Sequence, residues 1–548
     1  MRNCSLRFFA NAFLAAFLVM SSSSCKESPS NLLAKTEKTY ADLMDASSVM
    51  AAIDSGLFTI YRGKDRAAWR QVREEKYQEV AAHLGKISEK ELSPTDGRAL
   101  MLIRKGVAAM SADQASRAHK RHCEDAQRRD LAIADLHSAL YSCFDELGNN
   151  LEFEGKRLTR VSAFDLLTQM TEPERRKALF MRFVPLWKAV NGDDGPDSPY
   201  RRMIVGSSAD AARKGSPVDD AAKTLGVPTA QIEAWLVRIL DAWREATCNQ
   251  QIEPWDYRYL GGEADRLLSN AIPRESLLPI TQRYYKDLGA DLTQLGVLYD
   301  LDPRPRKAPL AYTDFVVRGH VRNEAWQPTV VYVSGNYARG GLGLLNEFVH
   351  ENGHAIHMMA LHTRPAFMDL GDPVFYEAFA DVPSWDTYEP AWQQKYLGTS
   401  APESDSLRAL YSGVMLDVAW ALFEIRMLNN PAADPNAVWT DITSRYLHVV
   451  PHPELAWWAV RVQLVDAPGY MVNYGLGAVI TADIRHHIQE ALGPFAVGNP
   501  QWFPWISEHL LKQGMEHETF VELKEFLGRP VSAEALLADI QRIGKQKR

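Results

Sequence analysis

Cysteine is scarce in this chain, five among 548 residues, and no two of them stand in a CxxC pair. That excludes a zinc ribbon or finger built on thiolates. Charge of one sign is also lacking. Lysine and arginine number 61 against 69 aspartates and glutamates, a net charge of −8, which leaves no broad basic face for a nucleic acid. No stretch reads GxGxxG or GxxxxGK[ST], so neither phosphate-cradling loop is present. No segment recurs at a fixed period, which argues against a solenoid. Beyond residue 20 no apolar run reaches the ~20 residues of a membrane-spanning helix. Glycine and proline, 33 and 29, are ordinary in number, so collagen-like and low-complexity architectures are excluded. What is present is a 46% hydrophobic content, ample for a large core.

The N-terminus reads as a targeting segment. Arg2 and Arg7 precede an apolar stretch over 8–20, then Ser21 to Ser24, then Cys25. The pattern resembles a bacterial lipoprotein signal, with residues 1–24 removed and Cys25 lipidated. Losing the two arginines takes the net charge from −8 to −10. The expectation is an exported, periplasm-facing protein, held at the membrane by its N-terminal lipid only. Ordinary secretory cleavage near the serines is the alternative. Cys123 and Cys143 could pair in such an oxidising compartment.

Residues 25–35 read as a tether, 36–250 as an N-terminal helical region and 251–548 as the catalytic region. Apolar residues recur at three and four over 66–84, 130–147 and 161–170, which predicts helices. A further helix over 172–191 should kink at Pro185. The β-branched run 329–334 (TVVYVS) predicts a strand. The Gly-rich turn 340–343 follows, and then a helix from 344 to about 361, stopped near Pro365.

That helix contains His350-Glu351-Asn352-Gly353-His354, an HExxH. Residues four apart lie on one helical face, so His350 and His354 can share a metal ion. Glu351, one step round, can take a proton from a water at the ion's open position. Asp372-Pro373 then reads as N-cap and first residue of a second helix. It carries Glu377 and Asp381, again four apart. Glu377 fits a third ligand, and Asp381 an acceptor that orients a ligand imidazole. His357 and His362 read as packing or surface histidines, because a fourth protein ligand would close the site. His320 has no assigned role, and Asn352 should face away from the metal.

HExxH followed by ExxxD resembles the gluzincin metallopeptidases. The stretch YEAFAD (376–381) resembles the corresponding segment of thermolysin and of angiotensin-converting enzyme. EPWDYRYL (253–260), LLNEFVHENGHAIH (344–357), DVPSW (381–385), PGYMVNYGLG (468–477) and FLGRPVSAEALLADI (526–540) resemble the thimet oligopeptidase and oligoendopeptidase F group. In that group the third ligand aligns with Asp381; in the converting-enzyme pattern it aligns with Glu377, which has the longer side chain and is preferred here. The resemblance implies a mainly α, two-lobed metallopeptidase. A deep central channel, a small β-sheet beside the site and one Zn2+ per chain belong to that expectation.

The resemblance further implies that Tyr470 or Tyr474, one helical turn apart, donates a hydrogen bond to the oxyanion. The histidine expected upstream is absent; Gln463 is the nearest substitute, with His452 a more distant one. The strand 329–334, with Tyr332 and Ser334, is expected to pair with an extended substrate. The implied activity is hydrolysis of oligopeptides, with Glu351 as general base. Three alternatives stay open. A carboxydipeptidase of converting-enzyme type would need a cationic pocket, for which Arg461 is the candidate. The others are an inactive peptide-binding lipoprotein with a peptidase fold, and a structural zinc site.

Overall fold

The computed structural model describes residues 28–117, 121–247, 250–304, 307, 311–322 and 324–545. The targeting segment, Cys25 and Cys248 lie outside them. The described chain is mainly helical with small sheets.

Three helices open it: α1 (Pro29–Asp54), α2 (Arg66–Leu84) and α3 (Pro94–Arg117). The first starts inside the segment read as a tether. Ser28 accepts from the Asn31 N–H as N-cap and Pro29 follows at the first helical position. The Ser-Pro pair is thus a helix start, not a linker. Leu33, Leu43, Val80, Leu100 and Ile103 from these helices bury with Phe367, far along the chain. The 172–191 segment breaks as Pro173–Phe180, a 3-10 turn over Met181–Phe183, and Val184–Asn191. The interruption falls just before Pro185, whose ring cannot follow an unbroken α-turn. Cys123 and Cys143 are joined in a disulfide, Cα atoms 4.5 Å apart.

The largest core runs through both halves of the chain. It takes residues from α4 (Thr229–Ala246), α5 (Leu342–Ala360), α6 (Pro373–Ser384), α7 (Glu403–Asn429), α8 (Met471–Leu492) and α9 (Glu534–Lys545). Trp392, Trp420, Trp439, Trp458 and Trp502 are fully buried.

A three-stranded sheet lies against α5. Its strands are β1 (Leu298–Asp300), β2 (Tyr312–Val317) and β3 (Val330–Ser334), in the order β1-β3-β2. β3 pairs parallel with β1 (Leu298 opposite Tyr332) and antiparallel with β2 (Tyr312 opposite Ser334). This corrects one expectation. The strand over 329–334 is central, both its edges are already paired, and Tyr332 and Ser334 are buried. It cannot also accept a substrate strand. The outer edges belong to β1 and β2. Ala46 and Val49 of α1 pack with Val316, Val317 and Tyr332 on the far side of this sheet.

Candidate metal centre and active site

Helix α5 is built to carry a polar face inside a core. Leu345, Phe348, Val349, Ala355 and Ile356 are buried, and the Gly343 N–H at its start donates to Asp265 (2.9 Å). Asn352 is occupied structurally: its amide donates to the Phe348 carbonyl (2.8 Å) and accepts from the Tyr299 hydroxyl (2.7 Å). Gly353 lies where α5 meets α6. A Cβ there would stand 2.8 Å from Ala380 Cα and 2.9 Å from its carbonyl oxygen, closer than carbon atoms pack. The two helices therefore touch backbone to backbone.

Helix α6 starts at Pro373, with Asp372 in the N-cap position. The Asp372 side chain makes no capping bond and instead accepts from the Thr519 hydroxyl (2.5 Å). Beyond its other end, buried Asp386 accepts from Arg485 (2.6 Å) and Tyr284 (2.6 Å), and Tyr284 also donates to the Pro383 carbonyl (3.2 Å).

This packing brings His350, His354 and Glu377 together, with one ligand atom from each inside 4.8 Å of the others. Glu377 Oε2 lies 3.3 Å from His350 Nε2 and 3.7 Å from His354 Nε2. His350 Nδ1 meets Asp381 Oδ1 at 2.7 Å, and Asp381 also accepts from the Ser384 hydroxyl (3.2 Å). The Asp381 contact turns the other ring nitrogen of His350 towards Glu377. His354 Nδ1 is buried with no hydrogen-bond partner among the described residues.

The electrostatics bind the carboxylates to the imidazoles. Burial works to raise the Glu377 pKa, but the His350 and His354 imidazoles outweigh it and hold the carboxyl well below its usual range. Burial opposes a proton on His350, yet Asp381 and Glu377 raise its pKa well above the ordinary value. Two imidazole nitrogens and one carboxylate oxygen, converging in a buried pocket and otherwise balanced only by protons, fit a divalent metal with nitrogen and oxygen ligands. His357 lies apart from it. It packs between the Phe375 and Phe379 rings (5.5 and 5.0 Å), and burial, then His354, lower its pKa to about 3.

Two cavities meet at this cluster, and His350 and Glu377 line both. One, about 350 Å³, runs along the free edge of β2 from Ala311 to Phe315 and contains Glu351 and His354. Thr313 donates to Glu351 Oε2 (2.8 Å) and holds that carboxyl over the cavity. The other, about 220 Å³, is lined by Asp381, Trp385, Asp417, Tyr470 and Tyr474. The two tyrosine rings lie 5.7 Å apart. Gln463 donates to the Tyr474 hydroxyl (3.3 Å), and the Tyr376 hydroxyl faces that of Tyr470. Burial raises the pKa of both Tyr470 and Tyr474, so each keeps its proton.

A full-length structural likeness fits this layout. The chain resembles an M32 carboxypeptidase from Deinococcus radiodurans R1, with a TM-score of 0.54, 14% identity, and 94% of this chain and 99% of that one covered. It resembles Trypanosoma cruzi metallocarboxypeptidase 1 at 0.51 and 12%, covering 94% and 99%. It also resembles a structure described as that of CHT, at 0.53 and 13%, covering 93% and 99%. The chain shares their fold. Neither of the two named peptidases is a thimet oligopeptidase or an oligoendopeptidase F, the group to which the sequence resemblance pointed. No protein-family model matches the sequence, and no curated protein matches it.

Several sequence candidates lie elsewhere. Tyr332 and Ser334 sit in the middle of the sheet. His452 is held between Glu454 (2.7 Å) and Glu253 (2.9 Å). His320 Nδ1 faces the Arg318 carbonyl (2.9 Å), and His362 stacks on Trp326 (4.0 Å). Arg461 borders the site. It is ion-paired with Asp417 and lies 5.8 Å from the Tyr474 ring. Sequence reasoning missed its company. The charge of Arg461 depresses the pKa of both Arg160 and Arg258, after burial, to about 10. Arg258 packs on Phe164 (4.1 Å) and has no hydrogen bond or ion pair among the described residues. It also missed Thr313 and Tyr376. Tyr376 stands directly before Glu377, the one signal that could have found it.

Proposed function

We propose that this protein is a zinc-dependent metallopeptidase that shortens peptides from the C-terminus. The observation that supports it most is the convergence of His350, His354 and Glu377 between a carboxyl on one side, Glu351, and two tyrosine hydroxyls on the other. One zinc ion held by those three groups supplies Lewis-acid polarisation of a carbonyl and a water acidic enough to react near neutral pH.

The chain's own groups do the rest. The free edge of β2 pairs with the extended peptide backbone. Glu351, oriented by Thr313, takes a proton from the attacking water and returns it to the leaving amine. Gln463 engages the acceptor side of the Tyr474 hydroxyl, and Tyr376 lies beside that of Tyr470. The O–H groups of Tyr470 and Tyr474 are left to donate to the oxygen that gains charge, a contact of ~3 kcal/mol in the barrier.

Removal of a C-terminal residue is favoured over internal cleavage by Arg461, Arg258 and Arg160. Asp417 matches Arg461, and Arg258 is left unmatched, so this corner has room for one more carboxylate. The likeness to carboxypeptidases supports the same reading. Export behind the segment 1–24, with lipid on Cys25, completes the proposal.

The test is a pair of variants. Glu351→Gln keeps shape but removes the base, so it should keep zinc and melting temperature and lose nearly all turnover. His354→Ala should lose zinc as well. Full activity in Glu351→Gln refutes the mechanism; no activity in the parent protein across a broad peptide library favours a peptide-binding role.

A further inference from the structure

Glu424 is fully buried in the last two turns of α7. Its carboxyl oxygens accept from two backbone groups, the Gly469 N–H (2.8 Å) and the Met471 N–H (2.7 Å). The residue between them is Tyr470. Gly469 takes φ +94°, and a Cβ on it would stand 2.5 Å from Pro217, so the turn requires glycine there. Met471 opens α8, the helix that carries Tyr474, and its N–H is one of those a helix leaves without an internal partner.

We propose that Glu424 is a positioning residue for the reaction, gripping the backbone on both sides of Tyr470 so that the tyrosine hydroxyl stands where charge develops. The proposal rests on the reading of Tyr470 as an oxyanion donor. Glu424 touches no substrate. It holds the backbone rather than the ring. A side chain fixed this way keeps its donor in place without reorganising during the reaction.

Glu424→Gln keeps one acceptor but turns an NH2 group against the second N–H. In the zinc-loaded full chain it should lower kcat about tenfold with KM within about twofold, the pattern of an interaction made in the transition state. Tyr470→Phe should lower kcat about 100-fold. The double variant should be no slower than Tyr470→Phe alone, because Glu424 acts only through that hydroxyl. A merely structural Glu424 gives multiplying losses in the double variant, and that result overturns the proposal. Wild-type kcat in Glu424→Gln beside an impaired Tyr470→Phe also overturns it, while leaving the oxyanion reading intact. Wild-type kcat in Tyr470→Phe removes the oxyanion reading and this proposal together. Should Glu424→Gln melt too low to assay, Glu424→Asp, whose shorter carboxyl reaches only one N–H, takes its place in the same cycle.

Discussion

Glu377 and Asp381 stand one helical turn apart, and their contacts separate them. Glu377 reaches both imidazole Nε2 atoms, whereas Asp381 reaches only the Nδ1 of His350. Glu377→Gln should therefore remove most zinc affinity, and Asp381→Asn should weaken it about 10–100-fold; zinc titration of both variants gives the order, and the reverse order would make Asp381 the ligand. His452 offers a test of electrostatics away from the site. Burial opposes its proton, but Glu454 and Glu253 outweigh this and raise its pKa. A histidine raised in the folded state adds stability that is complete below its unfolded pKa, about 6.5, and is lost as pH rises through the folded value. His452→Gln should thus cost about 1 kcal/mol at pH 6 and almost nothing at pH 9. Denaturant melts at the two pH values check it, and an equal loss at both would show that packing, not charge, is at stake. His350 with His354, and Glu377 with Asp381, were legible in the sequence because each pair shows a local four-residue spacing on one helix. Thr313 was not, since it meets Glu351 only through long-range folding.

At the scale of elements, the contact between α5 and α6 sets the distance between the histidines and Glu377. Gly353 permits it. Gly353→Ala should push the helices apart, lower stability by about 1–3 kcal/mol as overpacking does, and weaken zinc binding. Thermal melts with and without zinc measure both effects, and an unchanged melting temperature would mean that the helices are not in backbone contact. The α5 and α6 helices could be read from periodicity, and the α6 start from Asp-Pro, although Asp372 turned out to bond Thr519 instead of the helix end. The strands were harder. The β-branched run 330–334 declared itself as a strand, but apolar richness marks a central strand as readily as an edge. The edge that faces the site, Tyr312–Val317, is interrupted by Asp314, a residue depleted in strands, and so lacked a strong strand signature. Ser28-Pro29 shows the opposite error, a helix start whose composition looked like a linker.

Across the whole molecule, a mainly helical fold was expected and is present, and it is shared with metallocarboxypeptidases over nearly the full chain. The N-terminal helices pack on Phe367 and on the sheet through Val316 and Val317, contacts that span hundreds of residues and leave no local pattern to read. Their consequence is a site whose walls come from distant segments, with Glu351 on the β2 side and the two tyrosines on the other. That arrangement makes a specific claim about the product. The most direct measurement is a mass-spectrometric cleavage map of a mixed peptide library, each peptide supplied with a free and an amidated C-terminus, with and without a chelator. The account predicts stepwise loss of C-terminal residues from the free acids, little cleavage of the amides, and no cleavage after chelation until zinc is restored. Internal cleavage of free and amidated peptides alike would contradict it.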